Sequence, residues 1–160
     1  MTDRDASAVE VEEVAPTHPD AEACLVHYFA ELAERFETGF DASLSSAPTL
    51  KDFAPPGGCF LVMRSGGKLV ACGGFKRPAP GTAYIKRMWV AREARGAGLG
   101  RRLLVELEDR ARAFGCRKVQ LETEKSLIEA QALYRSAGYV EVPRFNDELY
   151  AHHWFEKSLG

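Results

Sequence analysis

Between residues 95 and 100 the chain reads Arg-Gly-Ala-Gly-Leu-Gly, and Arg101 and Arg102 follow. Three glycines in six positions allow left-handed backbone and a close main-chain approach to a ligand. An amphipathic helical pattern begins directly afterwards. The unpaired N–H groups and positive dipole end of such a helix point back at the turn. Together these features seat a phosphate or pyrophosphate, and Arg95 and Arg101 add positive charge on either side. Two familiar phosphate loops do not fit. A dinucleotide fingerprint requires Gly-x-Gly-x-x-Gly, and a P-loop ends in Gly-Lys-Ser/Thr. Here the spacing is Gly-x-Gly-x-Gly, followed by arginine. A ligand-free connector is the bland alternative, and it leaves the helix donors bare.

Two further segments carry chemistry. Residues 84–90 read Tyr-Ile-Lys-Arg-Met-Trp-Val. Adjacent cations in a central strand put at least one of them on a covered face, and a buried cation is costly unless paired. Lys86 and Arg87 therefore predict either an internal ion pair, with Glu122 as a partner, or a counter-ion for a substrate carboxylate or phosphate. Arg87 shares strand parity with Trp89, so the two offer charge plus a flat apolar wall for a small amine that also carries an acid. Residues 132–139 read Ala-Leu-Tyr-Arg-Ser-Ala-Gly-Tyr. Tyr134 there is either a packing residue or a hydroxyl donor.

The three segments, in this order and spacing, resemble the GNAT superfamily of N-acetyltransferases over residues 59–159. The resemblance implies acetyl-CoA as co-substrate. It implies that the loop Arg95, Gly96, Ala97, Gly98, Leu99, Gly100 and the following Arg101 hold the pyrophosphate. The backbone of Met88, Trp89 and Val90 would pair with the pantetheine arm, with a Met88 or Trp89 N–H as the oxyanion donor. Tyr134 would be the catalytic proton donor to the departing thiolate, and Arg87 and Trp89 the substrate-binding residues. One position departs from the pattern: Leu127 stands seven residues before Tyr134, where many relatives carry an asparagine. The general base is open. Aligned on the glycine loop, Tyr84 occupies the place where some of these enzymes carry a glutamate. His152, His153, Glu122, Glu37 or a water chain remain candidates, and at most one of the two adjacent histidines can face a cleft. Acceptor selection falls to residues 35–41 and 144–147.

The elements that position these residues follow from periodicity. Thr17 is a candidate N-cap for a helix with apolar residues at Ala21, Cys24, Leu25, Tyr28, Phe29, Leu32 and Phe36, ended by Gly39. A second helix spans 99–114 with Leu99, Leu103, Leu104, Leu107, Ala111 and Phe114 on one face. Glu106–Arg110 and Glu108–Arg112 are i,i+4 pairs on the other. Ser126 and Glu129 predict a capping box for a third helix, ended by Gly138. Strands are expected at an N-terminal edge near 9–14 and at 60–64, 68–75, 82–91, 119–123, 139–142 and 150–156. The order predicts a mixed α/β (α+β) domain of the GNAT fold. Its sheet is mostly antiparallel, with about six to seven strands, a splayed parallel pair (82–91 and 117–124) and flanking helices.

At 160 residues and 46% hydrophobic the chain can bury one core. Residues 1–7 are expected to be a disordered tail and 8–160 a single domain. The net charge of -2 carries no nucleic-acid signature. No apolar run approaches the ~20 residues of a membrane span, and the acidic N-terminus lacks an apolar signal core. Four cysteines without a Cys-x-x-Cys pair predict reduced, mostly buried thiols in a cytoplasmic protein without a metal site. The expected function is N-acetyl transfer, by direct attack in a ternary complex, to a primary amine of a small molecule bearing an anionic group. A homodimer is compatible with this. A protein or peptide amine as acceptor, or a non-catalytic acyl-CoA-binding sensor, are the alternatives.

Overall fold

Residues 9–44 and 50–160 are described by the computed structural model; the expected tail at 1–7 lies outside them. Their strands are β1 (Glu10–Glu13), β2 (Gly58–Ser65), β3 (Lys68–Ala79), β4 (Thr82–Val90), β5 (Lys118–Thr123), β6 (Val140–Val142) and β7 (His153–Ser158). The helices are α1 (Pro19–Arg35), α2 (Leu99–Ala113) and α3 (Ile128–Ser136). The strands form one sheet in the order β1-β2-β3-β4-β5-β7-β6. Every neighbouring pair is antiparallel except β4 and β5, which run parallel.

Alternating apolar side chains on the sheet meet a helix on each face. Leu103, Leu104, Leu107 and Ala111 of α2 pack with Leu61, Met63, Phe75, Val119 and Leu121. Ala21 and Cys24 of α1 pack with Phe60, Val62 and Cys72. All four cysteines are buried free thiols. Among the described residues, no helix is long and apolar enough to cross a membrane.

Two irregularities open the sheet at its centre. The parallel β4–β5 ladder runs only from Thr82↔Lys118 to Tyr84↔Gln120, so residues 85–90 have no β5 partner. In the β3–β4 ladder, Cys72 pairs with Trp89 and Gly74 with Lys86, so β4 spends one residue more than β3. The extra residue is a β-bulge, which bends and twists the strand. Arg87 sits there with φ 65. A non-glycine residue in the left-handed region stores strain of about 1–3 kcal/mol. Its surroundings hold it: the Cys72 thiol donates to the Arg87 carbonyl at 3.4 Å, and the guanidinium lies 5.1 Å over the Phe29 ring.

Several local expectations are corrected. The cap of α1 is His18, whose Nδ1 accepts the Asp20 N–H at 3.0 Å, rather than Thr17. No capping box starts α3: Ser126 donates to the Glu124 carboxylate and Glu129 pairs with Arg35, which draws both side chains away from the helix end. Glu106 and Arg110 do pair, at 2.5 Å. Glu108 does not reach Arg112, because it faces inward and is buried. It accepts the Tyr139 hydroxyl at 2.7 Å and the Lys157 ammonium at 3.1 Å, while Arg112 pairs with Asp109.

That buried acceptor generates a stability prediction. Glu108→Ala strands the Tyr139 hydroxyl, at an expected cost of about 1–3 kcal/mol. Thermal denaturation should read this as about 2–4 °C in Tm per kcal/mol for a chain of this size. Adding Tyr139→Phe should recover part of the loss. An unchanged Tm in the single variant would show that the network contributes nothing.

Candidate active site

Where β4 and β5 part, two cavities lie side by side and share a wall. The larger, about 430 Å³, runs from β4 along the 95–101 loop and is covered by α1 and α3. The smaller, about 100 Å³, lies toward the 145–151 segment. Tyr28, Leu32, Met88, Leu127, Ala130 and Tyr134 line both.

The larger cavity gathers Met88, Trp89, Val90, Arg95, Gly96, Gly98, Leu99, Gly100 and Arg101, whereas Ala97 is not among its lining residues. Gly96 and Gly98 have φ 90 and 78, and a Cβ at either would meet nothing within 4 Å. Both glycines are thus required by backbone conformation, and both border open space. Gly98 caps α2 without a side-chain bond, and the first helical bond runs from Arg102 N to Gly98 O. The N–H groups of Leu99, Gly100 and Arg101 therefore have no acceptor within the helix. This cradle fits a pyrophosphate. At Gly100 the reason for glycine differs, since a Cβ would come within 3.2 Å of the Leu133 side chain on α3.

A belt of ion pairs rims this groove. Arg95 donates to the Val90 carbonyl at 3.0 Å and to both Glu31 oxygens at 2.6 and 2.7 Å. Arg35 bridges Glu31 and Glu129 and donates to the Ser126 carbonyl. Arg35 holds the Glu129 carboxyl below the usual carboxylate range. Arg101 reaches the Ser136 hydroxyl across the groove end.

Tyr134 is buried at the junction, its ring against those of Tyr139 and Phe155. Burial pushes its phenol well above the ordinary value, with Tyr28 and Glu122 adding to the shift. Tyr28 is pushed up to about 12 by burial, opposed by the charge and hydrogen bond of Arg87. Both hydroxyls keep their protons at neutral pH and can donate.

The bulge sends both cations toward the smaller cavity, although strict alternation would have turned neighbours apart. Lys86 donates to Glu148 at 2.5 Å and to the Tyr84 hydroxyl at 3.4 Å. Lys86 thus forms an internal ion pair with Glu148. Glu122 lines the cavity and accepts from the Tyr84 hydroxyl and from Asn146 Nδ2. The Asn146 carbonyl accepts the Trp154 indole N–H at 2.9 Å. Trp89 lines the larger groove rather than this cavity, with its ring stacked on His27 at 5.2 Å. His152 accepts from the Lys125 N–H and His153 pairs with Glu141, and neither lines either of these two cavities, nor does the exposed Glu37.

Sequence reasoning missed Tyr28, Glu31 and Leu32 on α1, and Glu148 and Tyr150 before β7. Tyr28 and Leu32 belong to the apolar stripe of α1. A stripe that lines a cavity has the same period as one that packs into a core.

With the geometry in place, the similarities have a structural meaning. A sequence profile of the Acetyltransferase (GNAT) family matches residues 25–139. The chain is 41% identical over 93 residues to an IAA acetyltransferase of Azospirillum brasilense, covering 58% of this chain and 61% of that one. It is 35% identical over 131 residues to the N-alpha-acetyltransferase RimI of Mycobacterium tuberculosis, covering 80% and 77%. The crystal structure of a GNAT-family acetyltransferase from Staphylococcus aureus Mu50 superposes with a TM-score of 0.81. It shares 18% identity and covers 96% of this chain and 100% of that one. Proteins of this family use acetyl-CoA as co-substrate.

The open side of Gly98 makes the cofactor assignment testable. Gly98→Val puts a branched side chain into the groove and imposes about 1–2 kcal/mol of left-handed strain on one residue. Calorimetric titration should show CoA binding lost while the circular dichroism spectrum persists. Unchanged affinity in the folded variant would remove the loop from the site.

Proposed function

The chain belongs to the GNAT acetyltransferase family, and on that footing we propose that it moves the acetyl group of acetyl-CoA to a primary amine. The acceptor is a small molecule that also carries an anionic group, and it attacks directly in a ternary complex. The observation that carries this reading is the meeting of the two cavities at Tyr134. One side has a helix N-terminus and a glycine loop, and the other has cations beside a carboxylate. The single sheet through the described residues supports reading 8–160 as one domain.

Acetyl-CoA supplies an acyl carbonyl with a thiolate leaving group. The amides of residues 95–101 receive its pyrophosphate. Residues 88–90 of β4 lie beyond the end of the β5 ladder and offer backbone groups to an extended arm, in the manner of an added strand. The Met88 or Trp89 N–H, next to the bulge, meets the carbonyl oxygen as it gains charge. One such donor contributes about 2.7–4 kcal/mol in well-studied enzymes. Tyr134 donates to the departing sulfur, and its raised phenol keeps the proton available.

An amine of pKa near 10 is mostly protonated at pH 7, so a proton must first leave it. Of the four candidate bases, Glu122 alone lines the smaller cavity. Tyr84 and Asn146 fix its carboxylate, and it accepts the amine proton directly or through water. Arg87, packed on Phe29, grips the acceptor's acid in a bidentate way that a lysine cannot copy. A protein N-terminus is the second reading for the acceptor, favoured by the similarity to RimI.

A thiol-release assay with acetyl-CoA against amino acids, polyamines and short peptides tests the reaction. Tight CoA binding without turnover on any amine would favour a sensor instead. Tyr134→Phe should lower kcat by about 10²–10⁴-fold with little change in acetyl-CoA affinity, and a kcat within about twofold of the parent would reduce Tyr134 to packing. Arg87→Lys should raise the acceptor KM and spare the KM for acetyl-CoA. Equal activity of the parent on an acid and its amide would refute the anionic requirement.

A further inference from the structure

We propose that Phe36, Phe40 and Tyr150 form an aromatic bracket that limits the acceptor to compact amines and excludes polypeptide ones. The inference rests on the smaller cavity being the acceptor site. All three side chains line that cavity. Phe36 ends α1, and Gly39, with φ 74, turns the chain so that Phe40 comes back onto it. The Phe40 ring lies 5.9 Å from Phe36 and 5.4 Å from Phe29. Tyr150 comes from a segment distant in sequence, the connection into β7. Its ring is 4.8 Å from Phe40 and 5.6 Å from Phe36. The Tyr150 hydroxyl accepts the Asp41 N–H at 2.8 Å, a bond between segments 109 residues apart.

The bracket thus joins the segment after α1 to the segment before β7, both of which line the cavity. Phe36 is buried, while Phe40 and Tyr150 are half-buried, so the ring cluster reaches from the interior toward solvent. A polypeptide acceptor needs an open groove in which its chain can run on past the reacting amine. The bracket interrupts such a path, and the space behind it is about 100 Å³. The closure is also tied to the charged site. The Glu148 carboxylate accepts the Tyr150 N–H at 3.2 Å through one oxygen and the Lys86 ammonium at 2.5 Å through the other. The size limit and the charge of the cavity are therefore set by one connected group of residues.

The test compares the parent with Phe40→Ala, Tyr150→Ala and Tyr150→Phe. Each is assayed for acetyl transfer to the best small acidic amine of the panel and to a short peptide with a free N-terminus. Equilibrium binding of the same two amines to the CoA complex is measured in parallel by titration, so the size preference is read even without turnover. Thermal melting and CoA affinity report folding and the cofactor groove. The alanine variants should shift the peptide-to-small-amine ratio toward the peptide by about tenfold or more, on the scale of one or two lost ring contacts. CoA affinity should be unchanged. Tyr150→Phe keeps the ring and loses only the bond to Asp41, so its shift should be smaller. A parent that handles the peptide as well as the small amine would overturn the bracket. So would an unchanged ratio in alanine variants that melt cooperatively. Absence of turnover with the size preference intact would instead strike the transferase reading and leave the bracket standing.

Discussion

The site depends on one backbone irregularity, the bulge at Arg87. A parallel pair of strands in mid-sheet would ordinarily stay hydrogen-bonded along its length. Here the β4–β5 ladder stops at Tyr84, and three residues further on β4 takes its extra residue. The strand bends, and its C-terminal half is left without a β5 partner. Both cavities occupy the resulting gap. The strained residue is secured from the sheet and from α1, since the Cys72 thiol of β3 holds its carbonyl and the Phe29 ring of α1 supports its guanidinium. Strain of this kind persists only where the surroundings over-determine it.

Charge is distributed around the gap with little left to chance. Lys86 meets Glu148, Glu122 meets Tyr84 and Asn146, and Arg95 meets Glu31. In a partly dry cleft each interaction is stronger than it would be in water, and each fixes a side chain before any ligand arrives. The same low polarity keeps Tyr28 and Tyr134 protonated. On the far face of the sheet, Glu108 with Tyr139 and Lys157 ties α2 to the strand after α3, and Tyr139 in turn packs on Tyr134.

The sequence by itself determined the glycine turn ahead of α2 and the layout of the sheet. Glycines at 96 and 98, a helix stripe from Leu99 and the Tyr134 segment are local signals. Their physics is that of backbone conformation and of helix ends, so it survives without knowledge of the rest of the chain. Tertiary structure decided which side chains share a cavity. Glu148 and Tyr150 come from a connecting segment, and Tyr28 and Leu32 from a stripe that looks like ordinary core. It also redirected residues whose local partners were plausible. Glu108 left Arg112 for a buried tyrosine and lysine, and Glu129 left a helix cap for Arg35. Lys86 and Arg87 could be recognised as an anomaly, but their common direction required the bulge. A bulge shifts every later side chain by one position, and it is fixed by the partner strand rather than by the residues that carry it.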